Sequence, residues 1–281
     1  MERTAPSTAR SSTQEVISQN LTVEQLRNKR MAANSTFNCK VIYTRGKGAF
    51  GEVYIAHLQK TTQENIAMKI IRREDGDQIQ EADQYNLIEI EIMSQIDNPH
   101  INKLIDYYFQ EVDGKEELVL LQPLATIFQK KQNQRFKCAI STNSQKVKHH
   151  CNLTSLENYP EGQMPEKQVI EYLAQLAIGT KAMHDKNVIH RDLNPWNILV
   201  FKNDKQKTTL NDQEYILKIS DFGCSRILEP HEYKALSAVG KISFMAPEQH
   251  NNSKQGYNES VDIYALGLTI FKMITGKILH A

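Results

Sequence analysis

The sequence has no long hydrophobic run. Its longest apolar stretch, Val261 to Ile274, is interrupted by Asp262 and falls short of the roughly 20 residues that span a bilayer. Cysteine is scarce: Cys39, Cys138, Cys151 and Cys224 are irregularly spaced and make no disulfide framework, and no apolar signal region opens the chain. A reduced intracellular setting, cytoplasmic by default, is the expectation. Charge imbalance is also lacking. Against 34 Lys plus Arg stand 33 Asp plus Glu, so no global attraction to nucleic acid or a membrane surface is expected. Acidic residues are absent between Phe128 and Asn152, where Lys130, Lys131, Arg135, Lys137, Lys146 and Lys148 stand. That stretch reads as a solvated basic insertion covering about 125–164, and Cys138, His149, His150 and Cys151 within it lack the paired short spacing of zinc modules.

What is present is ordinary globular composition, 24% charged and 40% hydrophobic over 281 residues, enough for one large domain. Residues 1–37 are polar and aperiodic and read as a disordered tail. Val41-Ile-Tyr-Thr then runs as a strand into Gly46-Lys-Gly48-Ala-Phe-Gly51-Glu-Val53. Glycines so spaced let backbone N–H groups approach phosphate oxygens. Because Val53-Tyr-Ile-Ala follows, the pattern predicts strand-loop-strand rather than the strand-loop-helix of a dinucleotide site. Lys69 ends the apolar run Ile66-Ala-Met and, as a lone cation in a buried-looking strand, calls for an anionic partner. Helical periodicity follows from about Gln78 to Gln95 and again from Pro165 to Met183.

Chemistry concentrates in Ile189-His190-Arg191-Asp192-Leu193-Asn194-Pro195-Trp196-Asn197. A carboxylate between two apolar runs, with an amide five residues on, suits phosphoryl transfer: Asp192 can take the proton of an attacking hydroxyl while Asn197 holds magnesium. After a strand pair (Ile198–Phe201, Tyr215–Ile219) comes Asp221-Phe222-Gly223, an acid placed to complete a metal site. Gly240-Lys-Ile-Ser-Phe-Met-Ala-Pro-Glu248 closes the series.

In this order, over about residues 38–281, these motifs resemble the protein kinase domain of eukaryotes, serine/threonine class. The resemblance implies an α+β, two-lobed fold: a small β-rich N-lobe with one long helix (38–124), then a mainly helical C-lobe (165–281) cut short after its central buried helix, Ser260 to Ile274. It implies ATP and Mg2+ as cofactors and a protein substrate with a Ser or Thr hydroxyl. The backbone of Arg45-Gly46-Lys47-Gly48-Ala49-Phe50-Gly51 and Lys69 would hold the phosphates, and Glu89, with Glu91 as runner-up, would pair with Lys69. Val53, Ala67 and Leu199 would sandwich adenine. Leu121 would be the gatekeeper, with adenine contacts on Gln122 and Leu124. Asn197 and Asp221 would bind the metal, and Asp192 would be the base. Met93, Leu104, His190 and Phe222 would stack between the lobes, while Asp262 would bond the backbone of the catalytic loop. Arg191 would meet a phosphate placed by an activating kinase or by autophosphorylation, with Ser237 the best-placed acceptor and Tyr233 second.

Three departures stand out. Asn194 replaces a lysine of the serine/threonine class, a loss on the order of 10²–10³ in rate if uncompensated. Lys241 replaces a threonine, and its ammonium is expected to swing into the space that Asn194 leaves. No arginine follows that can pair with Glu248.

Overall fold

The computed structural model describes residues 39–48, 51–58, 65–72, 79–125, 156, 164–203, 214–228, 235, 239–250 and 256–279. The predicted tail, Ala49, Phe50, most of the basic insertion with its Cys and His residues, Tyr233 and Ser237 lie outside them.

The first half is one antiparallel sheet: β1 (Cys39–Gly48), β2 (Gly51–Leu58), β3 (Asn65–Arg72), β4 (Asp106–Val112) and β5 (Lys115–Pro123), in the order β1-β2-β3-β5-β4. Gly48 pairs with Gly51, so the glycine segment is strand-turn-strand. Period-2 alternation gives the sheet two apolar faces. Ile66, Met68, Ile70, Val119 and Leu121 share one. Leu118, Leu120, Tyr107 and Phe109 share the other, with Ile90 of helix α1 (Ile79–Gln95) packed on them.

This alternation corrects the gatekeeper assignment. Ala67 pairs with Gln122 and Lys69 with Leu120, so Gln122 stands on the face that carries Lys69, and Leu121 points to the opposite core. A slip of one residue in a strand moves a side chain to the other face.

In the second half, α2 (Glu166–His184) packs on the hairpin of β7 (Ile198–Lys202) and β8 (Tyr215–Ile219), and α4 (Ser260–Thr275) on α2. Between them lie β6 (Val188–Ile189), paired with β9 (Arg226–Ile227), and the short helix α3 (Pro247–His250). The largest apolar cluster spans both halves, joining Ile92 and Met93 of α1 to Leu176, Met183, Ile198, Phe222 and Leu266. Leu156 and Met164, at the far end of the expected insertion, belong to it. At Gly179 of α2 a Cβ would lie 3.0 Å from the His100 carbonyl oxygen. Glycine there lets the helix approach the loop that ties β8 to the sheet, through His100 O to Ile219 N (2.8 Å) and Ile219 O to Asn102 N (2.8 Å).

Expected as buried on nearly its whole circumference, α4 is buried on one stripe. Val261, Asp262, Ala265, Leu266, Thr269 and Met273 are covered, whereas Ile263 and Ile274 are exposed. The covered positions follow the i, i+3, i+4 spacing of one helix face, and the exposed isoleucines lie off it.

Candidate active site

A cleft between sheet and hairpin is lined above by Gly51, Val53, Ala67 and Lys69, at its edge by Gln122, Pro123 and Ala125, and below by Trp196, Asn197, Leu199 and Asp221. Of the residues expected around adenine, Val53, Ala67, Leu199 and Gln122 line it. Leu124 does not; Ala125 takes its place, the same one-residue offset as at the gatekeeper. Gln122 is buried: its Oε1 accepts from Asn102 Nδ2 (3.0 Å) and its Nε2 faces Met93 Sδ (3.7 Å).

Lys69 Nζ donates to both Glu89 oxygens at 2.9 Å and to Asp221 Oδ1 at 2.8 Å. Glu89 lies one turn before Met93 on α1, on the face turned to the sheet, whereas Glu91 is half-buried and accepts from Gln95. Burial pushes the Lys69 ammonium down, but Asp221 and Glu89 outweigh it and hold the group above its ordinary value, fully charged. Burial likewise pushes up Asp221, where Lys69 prevails and the carboxyl ends below its usual range. Glu89, 1% exposed, is the acid that burial drives up despite the same cation. Asp221 has φ 64°, a left-handed conformation that a non-glycine residue keeps only when its surroundings impose it. Here Lys69 grips its side chain and Phe222 is fully buried, its ring 5.2 Å from that of His190.

Asp192 is held by three donors: Asn194 Nδ2 (2.9 Å) and the Lys241 N–H (2.7 Å) on Oδ1, and Asn197 Nδ2 (2.8 Å) on Oδ2. Burial raises its pKa despite the opposing pull of His190, Lys241 N–H and Asn197, which strengthens the group as a base. Asn194 leaves no gap for Lys241 to fill. Its amide nitrogen bonds Asp192, and its oxygen accepts from the N–H of Trp196 at 3.0 Å. The Lys241 ammonium instead lies over the Trp196 ring, 3.0 Å from its centroid.

The loop is fixed from beneath. Asp262, wholly buried, accepts from the N–H groups of His190 (2.8 Å) and Arg191 (2.9 Å) and meets His184 Nε2 at 2.9 Å. Arg191, also left-handed at φ 67°, is 5% exposed and donates through Nε to the Cys224 carbonyl (2.5 Å) and through Nη2 to that of Ser225 (3.2 Å). The guanidinium expected to receive a phosphate thus braces the backbone after Asp221-Phe222-Gly223. A Cβ at Gly240 would collide with the Arg191 carbonyl, and its φ of 112° is one that side-chain-bearing residues rarely adopt, so glycine is required there on both counts.

Two glutamines were missed. Gln249 is buried, accepting from Ala246 N–H at 2.9 Å and donating to Arg191 O at 3.4 Å, while its neighbour Glu248, the acid singled out by motif, is exposed. Gln175 of α2 is 2% exposed and caps β8 through Leu217 N–H (2.8 Å) and Tyr215 O (3.1 Å). A glutamine at a core-facing position of an otherwise apolar helix stripe was the available signal.

The donor set fits magnesium with a nucleotide. Magnesium takes one or two protein oxygens and completes its shell with water and phosphate. Asn197 spends its amide nitrogen on Asp192, leaving its oxygen, and the Asp221 side chain is 31% exposed toward the cleft.

Comparison with known proteins agrees. A family model described as protein kinase domain matches residues 40–281. The chain is 29% identical over 236 residues to ribosomal protein S6 kinase 2 alpha of Gallus gallus, covering 83% of this chain and 26% of the relative. It is 30% identical over 254 residues to the serine/threonine-protein kinase ATG1 of Eremothecium gossypii (83% and 24%) and 29% identical over 234 residues to a serine/threonine-protein kinase stk11 homolog of Dictyostelium discoideum (83% and 34%). It spans about a quarter to a third of the length of these relatives. With a kinase-type α+β architecture and a match across most of its length, the chain belongs to the protein kinase family.

Proposed function

We propose that this chain transfers the γ-phosphoryl group of Mg-ATP to a serine or threonine hydroxyl of a protein. The observation that carries the reading is a fully charged Lys69 clamped by Glu89 and Asp221 in one cleft, together with an Asp192 carboxylate held by three donors, one of them the cleft residue Asn197. Bound Mg-ATP supplies the electrophilic phosphorus and the metal charge that steadies its oxygens. Lys69 and the backbone near Gly51 orient the phosphates, and Asn197 with Asp221 holds the metal. Asp192 receives the hydroxyl proton. With charge spread over the transferring group, catalysis of this kind rests on positioning and electrostatics, and the interlocked carboxylates provide positioning.

Asn194 favours a second reading. Its amide is committed to Asp192 and adds no positive charge, which suits a slow enzyme or a nucleotide-binding scaffold. Transfer of label from Mg-ATP to the chain itself and to a generic basic protein, beside an Asp192→Asn control, separates the two. Label in the parent and none in the control supports the kinase; a rise in melting temperature with Mg-ATP but no label in either supports the scaffold.

A further inference from the structure

Behind the cleft lies a pair of amides that phosphate transfer itself does not require. Gln122, 9% exposed, lines the cleft opposite Ala67 of β3. Asn102, wholly buried, holds it: its Nδ2 donates to Gln122 Oε1 at 3.0 Å, and its main-chain N–H is fixed on the Ile219 carbonyl at 2.8 Å. Two hydrogen-bonding capacities beside this bond are unfilled. Asn102 Oδ1 is buried with no partner among the described residues, and Gln122 Nε2 faces Met93 Sδ at 3.7 Å, a weak acceptor. A primary amide carries two N–H donors and two acceptor lone pairs, so Gln122 keeps both a donor and an acceptor to offer the cleft. The last torsion of Asn and Gln is broad and nearly two-fold. Turning both amides exchanges the present bond for its reverse, Gln122 Nε2 to Asn102 Oδ1, and the orphaned oxygen is the acceptor that this second arrangement needs. The turn gives up the sulfur contact and leaves Asn102 Nδ2, in place of Oδ1, as the unmet group.

A purine held between Val53 and Ala67 above and Leu199 below meets Gln122, Pro123 and Ala125 at the edge of the cleft. Of these three, only Gln122 has a hydrogen-bonding side chain. Purines differ in sign at position 6, where an amino group donates and a keto oxygen accepts, and the ring nitrogen beside it changes sign in the opposite sense. We propose that Gln122, held by Asn102, pairs with the 6-substituent of the bound purine in either sense, so that the cleft takes 6-amino and 6-keto purine nucleotides alike. This rests on the nucleotide site of the phosphotransfer reading and widens the class of donor that the site accepts.

Calorimetric titration with ADP, IDP and purine riboside diphosphate, each with Mg2+, isolates position 6, which carries an amino group, a keto oxygen and a hydrogen in turn. The parent is expected to bind ADP and IDP within about tenfold of one another, and each at least about fivefold tighter than purine riboside diphosphate, as one hydrogen bond allows. In Gln122→Met, matched in length and without a donor, the advantage of ADP and IDP disappears while purine riboside diphosphate binds as before, which also shows that the cleft is still formed. Asn102→Leu, at a residue behind the lining, lowers the same advantage because Gln122 loses its anchor. A parent preference for ADP over IDP above about 100-fold, or an advantage of both that survives Gln122→Met, overturns the proposal. Diphosphates carry no γ-phosphoryl group, so these affinities stand apart from transfer, which labelled Mg-ATP and Mg-ITP test with a basic protein acceptor. Binding of both bases with no label transferred removes phosphotransfer and leaves the base site; label from ATP with IDP unbound removes the base site alone.

Discussion

Replacing Asp262 by asparagine tests how the catalytic loop is held. The parent carboxylate is completely buried and satisfies two backbone N–H groups, His190 and Arg191, one per oxygen, with His184 on the same oxygen as His190. An amide has one oxygen. Whichever way it is turned, an NH2 faces a backbone N–H, leaving one buried donor unsatisfied at about 1–3 kcal/mol, and the surviving bond loses its charge assistance, about 1 kcal/mol more. The Asn variant is therefore expected to lose ~2–4 kcal/mol, and Asp262→Ala, which orphans both donors and opens a cavity, ~1–3 kcal/mol beyond that. Urea unfolding followed by far-ultraviolet circular dichroism measures this as a lower midpoint at unchanged slope. The loop also loses the anchor of the left-handed Arg191, so activity falls further than the folded fraction alone accounts for. An Asn variant within about 0.5 kcal/mol of the parent, the range of ordinary surface changes, would refute the reasoning and place the anchorage of the loop elsewhere.

Lys69→Met leaves Glu89 and Asp221 without their shared cation, and breaking such a buried pair costs about 3–5 kcal/mol. Glu89 already lies above its usual range, and without the lysine it rises further. An acid raised in the folded state stabilises it below the unfolded pKa, and that contribution is lost as pH rises through the folded value, so thermal melts should show the variant's deficit smaller at pH 5 than at pH 8. Because burial raises Asp192 and only the deprotonated form accepts a proton, kcat/KM should fall on acidification at a pH above the ordinary aspartate value of about 3.9. Asn194→Ala removes a donor to the charged form and should move that limb higher still. Cys224, buried with its thiol pushed up to about 12, should resist a thiol reagent at pH 8 until the protein is unfolded, whereas half-exposed Cys39, the other cysteine among the described residues, reacts before it.

The sequence made the chemistry legible and the faces less so. Lys69 was readable as a lone cation in an apolar strand, whereas Asp192, Asn197 and Asp221 were readable from their spacing and order, which resemble those of the kinase motifs. The register of β5 was not, because Leu118-Val-Leu-Leu121 is apolar at every position, as expected of a strand covered on both sides, and no alternation marks which leucine faces the cleft. Only the pairing with β3 distinguishes Leu121 from Gln122. Gln175 and Gln249 escaped for a related reason: their partners are backbone groups of distant elements, and main-chain donors and acceptors carry no sequence signature. The exposed isoleucines of α4 show the limit of composition, since hydrophobicity around a helix says what can be buried and not what is.

Asn194 and Lys241 look in sequence like two losses and act in the structure as one local arrangement. Position 241 reaches Asp192 through its main-chain N–H, a contact that any residue but proline supplies, so exchanging the side chain leaves the grip on the base intact. Position 194 keeps a donor on the same carboxylate oxygen and uses its own oxygen to cap the turn at Trp196. The hold on Asp192 is kept, and what differs from the pattern that the resemblance implies is where positive charge stands: over the face of Trp196 and not at position 194. On the proposed phosphotransfer reading, a cation so placed does less for the transferring phosphate than one beside Asp192. The two exchanges are therefore expected to show in rate and to leave the fold untouched.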